Sequence, residues 1–308
     1  MTRRRQVRRI KREKQRAKNP ALDWIEAFVW AAGMVLLANQ YLLQAYVIPS
    51  GSMINTLLIG DRIFVNKLIY GPELLPGLFK LPSPIKPARN DIIIFENPSY
   101  LSRGPVFDIA QRVIFMLTIS LVEIDRDEKG QPRAHFLIKR AVGMGGDRFI
   151  MEKGEMKARF AGEDRWVNER EFDARQGWKH EISRLIREDQ YPALEMLGKA
   201  NGWQDLGLPV PERLQAAAVD GIYYPDRFAL QKARLETLRS ALPQNRRYAE
   251  ESARKSLGWY VPQGRILPMG DNRDNSHDGR DFGPVRVTKV LGRGVLIFWP
   301  FRRMGPIR

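Results

Sequence analysis

"AFVWAAGMVLLANQYLLQAYVIPSGSMINTLLIGD", residues 27–61, runs without a charge from Ala27 to Ile48 and then enters a small, hydroxyl-rich turn. The 22 residues from Ala27 to Ile48 span about 33 Å as a helix, enough for a hydrocarbon core of about 30 Å. Trp30 and Tyr41 or Tyr46 suit the lipid–water interface. Asn39, Gln40 and Gln44 turn the second half toward protein or the interface. A buried core helix and a cleavable signal peptide are the competing readings. The region before the apolar run is long for a signal peptide. The best cleavage site, Leu43-Gln44-Ala45, puts a large Leu where a small residue is needed. Both features favour an uncleaved signal-anchor.

Outward from this stretch, the chain has 308 residues, room for one large domain or two modest ones. Cysteine is absent, which excludes disulfides, cysteine nucleophiles and thiolate metal sites. Residues 1–18 carry +9 of the +16 formal charge. A basic arm can bind nucleic acid phosphates or anionic lipid, the latter at about 1 kcal/mol per basic residue. Beside an anchor the lipid reading prevails, and no nucleic acid is expected. The arm then stays cytoplasmic and everything after Ile48 lies outside.

The body reads as mainly β. Short β-rich runs at 61–70, "DRIFVNKLIY", and 91–96, "DIIIFE", flank a Pro/Gly-dense loop. "HFLIKRAVGMGGDRFIM", 135–151, reads as strand, glycine turn, strand. The expected organisation is a basic arm (1–20), an anchor (21–48), a β core (49–151 and 259–308) and a mostly helical insertion (152–258). Helical periodicity in the insertion starts at "HEISRLIREDQYPALEMLGKA", 180–200. Residues 106–122 read as a surface-lying or core helix, since their uncharged part is too short to span a membrane.

Nucleophilic catalysis by serine requires a base. His180 reads as a solvated helix residue, His135 opens a strand, and His277 lies in the loop "DNSHDGR". No G-x-S-x-G elbow surrounds Ser50 or Ser52. Lysine serves as a base only when burial lowers its pKa from near 10.4. Lys139, after the apolar "FLI" of a strand, meets that requirement; a surface lysine is the plain alternative. There is no metal-binding motif and no nucleotide-binding glycine pattern, so neither metal nor cofactor is expected.

Taken in order, "IPSGSMINTL" (48–57), "GDRIFVNKLIYG" (60–71), "IKRAVGMGGD" (138–147), "GDNRDNSHDGR" (270–280) and "FGPV" (282–285) resemble the bacterial type I signal peptidases. The resemblance implies a signal-peptidase-like β catalytic core with an N-terminal transmembrane helix. It implies a Ser-Lys endopeptidase of the bacterial cytoplasmic membrane, with its catalytic domain on the outer face. Its partners would be precursor proteins bearing signal peptides, and membrane lipid. Ser52 would be the nucleophile and Lys139 the general base. The Ser52 N–H and Ser50 hydroxyl would form the oxyanion hole. Ser276 would hydrogen-bond the neutral lysine. Asp278 and Arg280 would pair, and Asp271 and Arg273 would brace the same loop. Ile48, Pro49, Met53, Leu57 and Ile138 would line shallow pockets for Ala-x-Ala cleavage sites. Asn55, Gly145 and Gly279 stand where the family usually has proline, proline and serine. The two missing prolines are expected to loosen their turns.

Topology adds one constraint. If 106–122 crossed the membrane, Ser52 and Lys139 would face opposite sides, so the pair requires that helix to lie at the interface. Two other readings compete: a self-cleaving repressor with a Ser-Lys pair, which has no anchor, and an anchored scaffold without activity.

Overall fold

The computed structural model describes residues 20–75, 79–83, 85–118, 122–127, 130, 133–215 and 226–307. Residues 1–19 of the basic arm lie outside them. In chain order the elements are α1 (Pro20–Tyr41), β1 (Leu43–Val47), β2 (Arg62–Asn66), β3 (Glu73–Leu75), β4 (Phe79–Lys80), β5 (Ile92–Glu96), α2 (Pro105–Leu117), β6 (Phe136–Met144), β7 (Arg148–Glu152), β8 (Glu155–Arg159) and β9 (Val167–Asn168). There follow α3 (Glu169–Gln176), α4 (Tyr191–Asp205), α5 (Glu212–Gln215), α6 (Arg227–Ala241), α7 (Arg246–Leu257), β10 (Trp259–Tyr260), β11 (Arg265–Met269), α8 (Gly279–Phe282), β12 (Val285–Arg286), β13 (Val290–Trp299) and β14 (Gly305–Pro306).

The uncharged run splits into helix and strand. Ala21–Tyr41 is a helix long and apolar enough to cross a membrane, and the one such helix among the described residues. Residues 43–47 instead enter the sheet as β1, with Ala45 opposite Phe64 of β2. The three amides show where the end of the helix and the start of β1 meet protein. Asn39 Nδ2 donates to the Met116 carbonyl at 3.2 Å, and Gln40 Nε2 to the Glu73 carbonyl at 2.8 Å. Gln44 Oε1 accepts from Lys67 Nζ at 3.0 Å.

The main sheet is antiparallel, in the order β1-β2-β13-β5-β6-β11-β12, with β14 on β13. Both faces of β5 are covered. Ile92 and Ile94 pack with Tyr46, Ile48, Met53 and Leu57, while Ile93 and Phe95 pack with Ala141, Ile266 and Val285. That is why "IIIFE" is continuously apolar rather than alternating. A second sheet, β10-β7-β8-β9, extends from the same β6–β7 turn. The mainly β architecture behind one apolar N-terminal helix is the one expected.

The segment after 152 opens with β8 and β9 before its helices begin. Asp226 and Asn245 cap α6 and α7, each side chain accepting two backbone N–H bonds. The helix expected from residue 180 begins only at Tyr191. Residues 182–187 are occupied elsewhere: the Leu185 and Ile186 N–H groups donate to Asp274 Oδ2 at 2.6 and 3.0 Å. Ser183 N donates to the Asp271 carbonyl at 2.8 Å, and Arg273 N to the Ser183 carbonyl at 3.1 Å. These backbone groups serve the 270–280 loop, so no helical ladder forms.

The expected helix at 106–122 is α2, with Pro105 at its start. Its 13 residues measure about 20 Å, too short to span a bilayer. Gln111 and Met116 are buried, whereas Val106, Ile109 and Leu117 face outward. Residues 119–121 lie outside the described set.

Candidate active site

The turn 48–61 is closed at its base by two backbone bonds: Ile48 N to Asp61 O and Gly60 N to Ile48 O, both 2.9 Å. Arg303 fastens it from the chain's far end, donating to both Asp61 oxygens and to the Thr56 carbonyl. Within it, Gly51–Met53 form one turn of 3₁₀ helix that buries Ser52. Asn272 holds this turn twice: its N–H donates to the Ser52 carbonyl at 3.1 Å, and its Nδ2 to the Gly51 carbonyl at 3.0 Å.

Lys139 stands on β6 opposite Ile93 of β5 and is 4% exposed. Its Nζ donates to Ser52 Oγ at 2.7 Å and to the Ile138 carbonyl at 3.1 Å. Burial pulls the ammonium down to about 8, against the opposing charges of Asp278 and Asp271 and with help from Arg280. Relative to its ordinary 10.5, the shift amounts to about 3 kcal/mol in favour of the neutral amine. A neutral lysine within hydrogen-bond reach of a hydroxyl is the arrangement a general base requires. Ser50 Oγ lies 3.5 Å from Ser52 Oγ, on the exposed lip of the turn.

The pair opens onto a groove of ≈ 720 Å³ lined in part by Ile48, Pro49, Met53 and Ile138, four of the five expected pocket residues. Leu57 is the exception. Fully buried, it packs in the core beneath, because its N–H turns back onto the Met53 carbonyl. Phe115 and Gln111 of α2 line the same groove.

The 270–280 loop is held by buried ion pairs. Asp278 accepts from Gly270 N at 3.0 Å and from Arg280 Nε at 2.9 Å, as expected for that pair. Burial would raise the Asp278 carboxyl, but the Arg280 charge and these bonds hold it at about 2. Asp271 and Arg273 do not pair with each other. Asp271 takes Arg140, with bonds of 2.8 and 2.6 Å, and Thr56 Oγ1 at 2.5 Å. Arg273 spans from the Gly270 carbonyl to Glu169 at the start of α3. Ser276 departs from expectation: its Oγ is buried with no hydrogen-bond partner, pressed against Gly270 rather than bonded to Lys139.

The three departures have local causes. Asn55 has φ 79, a left-handed conformation that asparagine tolerates and proline cannot adopt. A Cβ on Gly145 would stand 2.7 Å from Gln263 Oε1. On Gly279 it would stand 2.7 Å from the Pro268 carbonyl, a backbone atom that cannot swing aside. At Gly145 and Gly279 the neighbours thus leave no room for a larger side chain. No histidine touches Ser52: His135 contacts Asp125, His277 contacts Asp281, and His180 is buried beside Asp173 rather than solvated on a helix. Arg140, Thr56, Asn272, Glu169 and Arg303 escaped the sequence reading. Arg140, Thr56 and Asn272 lie inside quoted motifs, but nothing in the sequence tells which acid a buried arginine will take.

A mainly β fold behind one apolar helix, with a buried lysine bonded to a serine at the mouth of a groove, fits the class of serine peptidases. The family model described as signal peptidase, peptidase S26, matches residues 21–299, and the chain belongs to this family. Signal peptidase I of Haemophilus influenzae is 26% identical over 298 residues, covering 93% of this chain and 73% of that protein. Signal peptidase I of Aquifex aeolicus is 25% identical over 277 residues, covering 86% and 79%. The mitochondrial inner membrane protease subunit 1 of Xenopus tropicalis is 45% identical over 49 residues, 16% of this chain and 29% of that protein.

Proposed function

We propose that this peptidase removes signal peptides from exported precursor proteins, cutting after small residues of the Ala-x-Ala type. The observation that carries this reading is the 2.7 Å bond between Lys139 Nζ and Ser52 Oγ in a buried setting. Neutral Lys139 takes the Ser52 proton as Oγ attacks the scissile carbonyl. The Ser52 N–H and Ser50 hydroxyl receive the developing oxyanion, donors each worth about 3–4 kcal/mol. Lys139 then returns the proton to the leaving amine, and an acyl-enzyme on Ser52 remains. Lys139 next activates the water that deacylates it. Ile48, Pro49, Met53 and Ile138 form the apolar wall for small substrate side chains, Asp278 and Arg280 hold the loop behind the base, and Ser276 fills space there.

Placement supports the same substrate. Ser52 follows the end of α1 by eleven residues, five of them paired into the sheet as β1, so the chemistry takes place close to the bilayer surface, where a precursor's signal helix ends. The basic arm keeps the N-terminus in the cytoplasm, and the catalytic core faces the periplasmic side of the inner membrane. Val106, Ile109 and Leu117 of α2 rest at the lipid interface.

The test is acylation. A penem-type or lipopeptide acylating probe adds its mass to the Ser52 peptide, and precursor processing stops in Ser52→Ala and in Lys139→Arg while both remain folded. Normal processing by Lys139→Arg would end the reading.

A further inference from the structure

Away from the groove, three side chains with no part in the proposed chemistry converge. Glu169 and Asp173 stand four apart on α3, a spacing that puts both carboxylates on one helix face. Gly177 ends α3 in a left-handed turn, φ 68, and the chain doubles back to bring up His180. One donor atom from each of the three lies within 4.8 Å of the others. All three line a cavity of ≈ 20 Å³, room for about one water or ion.

Two further observations point to a ligand. The His180 side chain is 3% exposed, and neither of its ring nitrogens has a hydrogen-bond partner. Its nearest polar neighbour is Asp173 Oδ2 at 3.4 Å. The second observation is charge. Glu169 is matched by Arg273, and Arg140 by Asp271. Asp173 is buried, and among the described residues its one ion-pair contact is with His180. An unbonded imidazole and an uncompensated carboxylate are both costly to bury.

We propose that Glu169, Asp173 and His180 bind a divalent transition-metal ion, with zinc the best match. One imidazole nitrogen and two carboxylate oxygens suit Zn²⁺ at about 2.0–2.2 Å, whereas Mg²⁺ and Ca²⁺ prefer all-oxygen cages. Tetrahedral geometry needs donors about 3.4 Å apart, so the side chains close inward on binding and water takes the fourth place. The ion is structural. Glu169 also holds Arg273, whose other arm grips the Gly270 carbonyl. Occupancy therefore fastens α3 to the 270–280 loop without approaching Ser52.

The experiment uses full-length, chelator-stripped protein in detergent micelles, titrated with Zn²⁺ by calorimetry and with Co²⁺ by visible absorption. Expected are one Zn²⁺ per chain, a thermal midpoint that climbs with free Zn²⁺, and Co²⁺ bands of tetrahedral intensity. Asp173→Asn and His180→Gln each weaken binding by at least about tenfold and abolish the cobalt bands, while His277→Gln leaves both unchanged. Metal-free thermal midpoints of the variants show that they are folded. No saturable binding in the parent protein, or equal affinity in Asp173→Asn and His180→Gln, overturns the proposal.

Discussion

Arg140, the residue after the proposed base, grips Asp271 through two parallel bonds of 2.8 and 2.6 Å, with both side chains out of solvent. The same Asp271 takes the Thr56 hydroxyl, and Arg140 also donates to Asn90 Oδ1 at 2.6 Å. One pair thus ties the serine turn, β6 and the 270–280 loop together. Removing either partner strands a buried charge, which costs about 3–5 kcal/mol. Arg140→Ala and Asp271→Ala should each lower the unfolding free energy, read by denaturant titration, by that amount, and the double variant should lose little more than either single one. Additive losses would show that the two are not coupled.

As the proposed base, Lys139 would set the pH profile. Its folded pKa of about 8 lies below its ordinary 10.5, and only the neutral amine accepts a proton. Acylation of Ser52 should rise about tenfold per pH unit up to that point and then level. The stability effect has the same sign. Holding this lysine charged in the fold costs most below about pH 8, and the cost fades as pH rises toward 10.5. Asp278 pulls the pKa upward, so Asp278→Asn should move the midpoint to lower pH. Intact-mass spectra of probe-treated protein across pH decide this, and an upward move would contradict it.

Ser50 is the more exposed of the two turn serines and reaches toward Ser52 Oγ from the lip. In the proposed role of oxyanion donor it would act in the transition state rather than in substrate binding. Ser50→Ala should cut kcat by roughly 10²–10³-fold with KM nearly unchanged. A loss confined to KM would place Ser50 in substrate contact instead.

Asn55 offers a test that inverts the family pattern. Its φ of 79 suits glycine and excludes proline. Asn55→Gly should leave the thermal midpoint nearly unchanged. Asn55→Pro should destabilise by more than about 1 kcal/mol and slow acylation with it. A stabilised Asn55→Pro would show that the turn adopts another conformation.

The β core was legible in the sequence because its signals are local. "DIIIFE" is apolar throughout because both faces of β5 are covered, and "HFLIKRAVGMGGDRFIM" carries its own turn. Ser52 and Lys139 stood out as residue types with a chemical requirement. What stayed hidden depends on partners far along the chain. The stretch 180–187 has helical periodicity, yet Asp274, some ninety residues later, takes its N–H groups. Leu57 fits a pocket by type, but the turn at Met53 sends it into the core. Asn55 reads as a missing proline until its backbone angle is known.

α1 gives way to β1 almost at once, with Leu43 following Tyr41 by two residues. The membrane helix is therefore joined to the sheet by a paired strand and not by a flexible tether. A tethered enzyme would swivel and sample many heights above the bilayer. In the proposed membrane setting β1 would act as a ruler and a rudder, fixing both how far the serine stands from the lipid and which way the groove faces. A single residue inserted into β1 would turn its inward side chains outward, and it would reset both settings together.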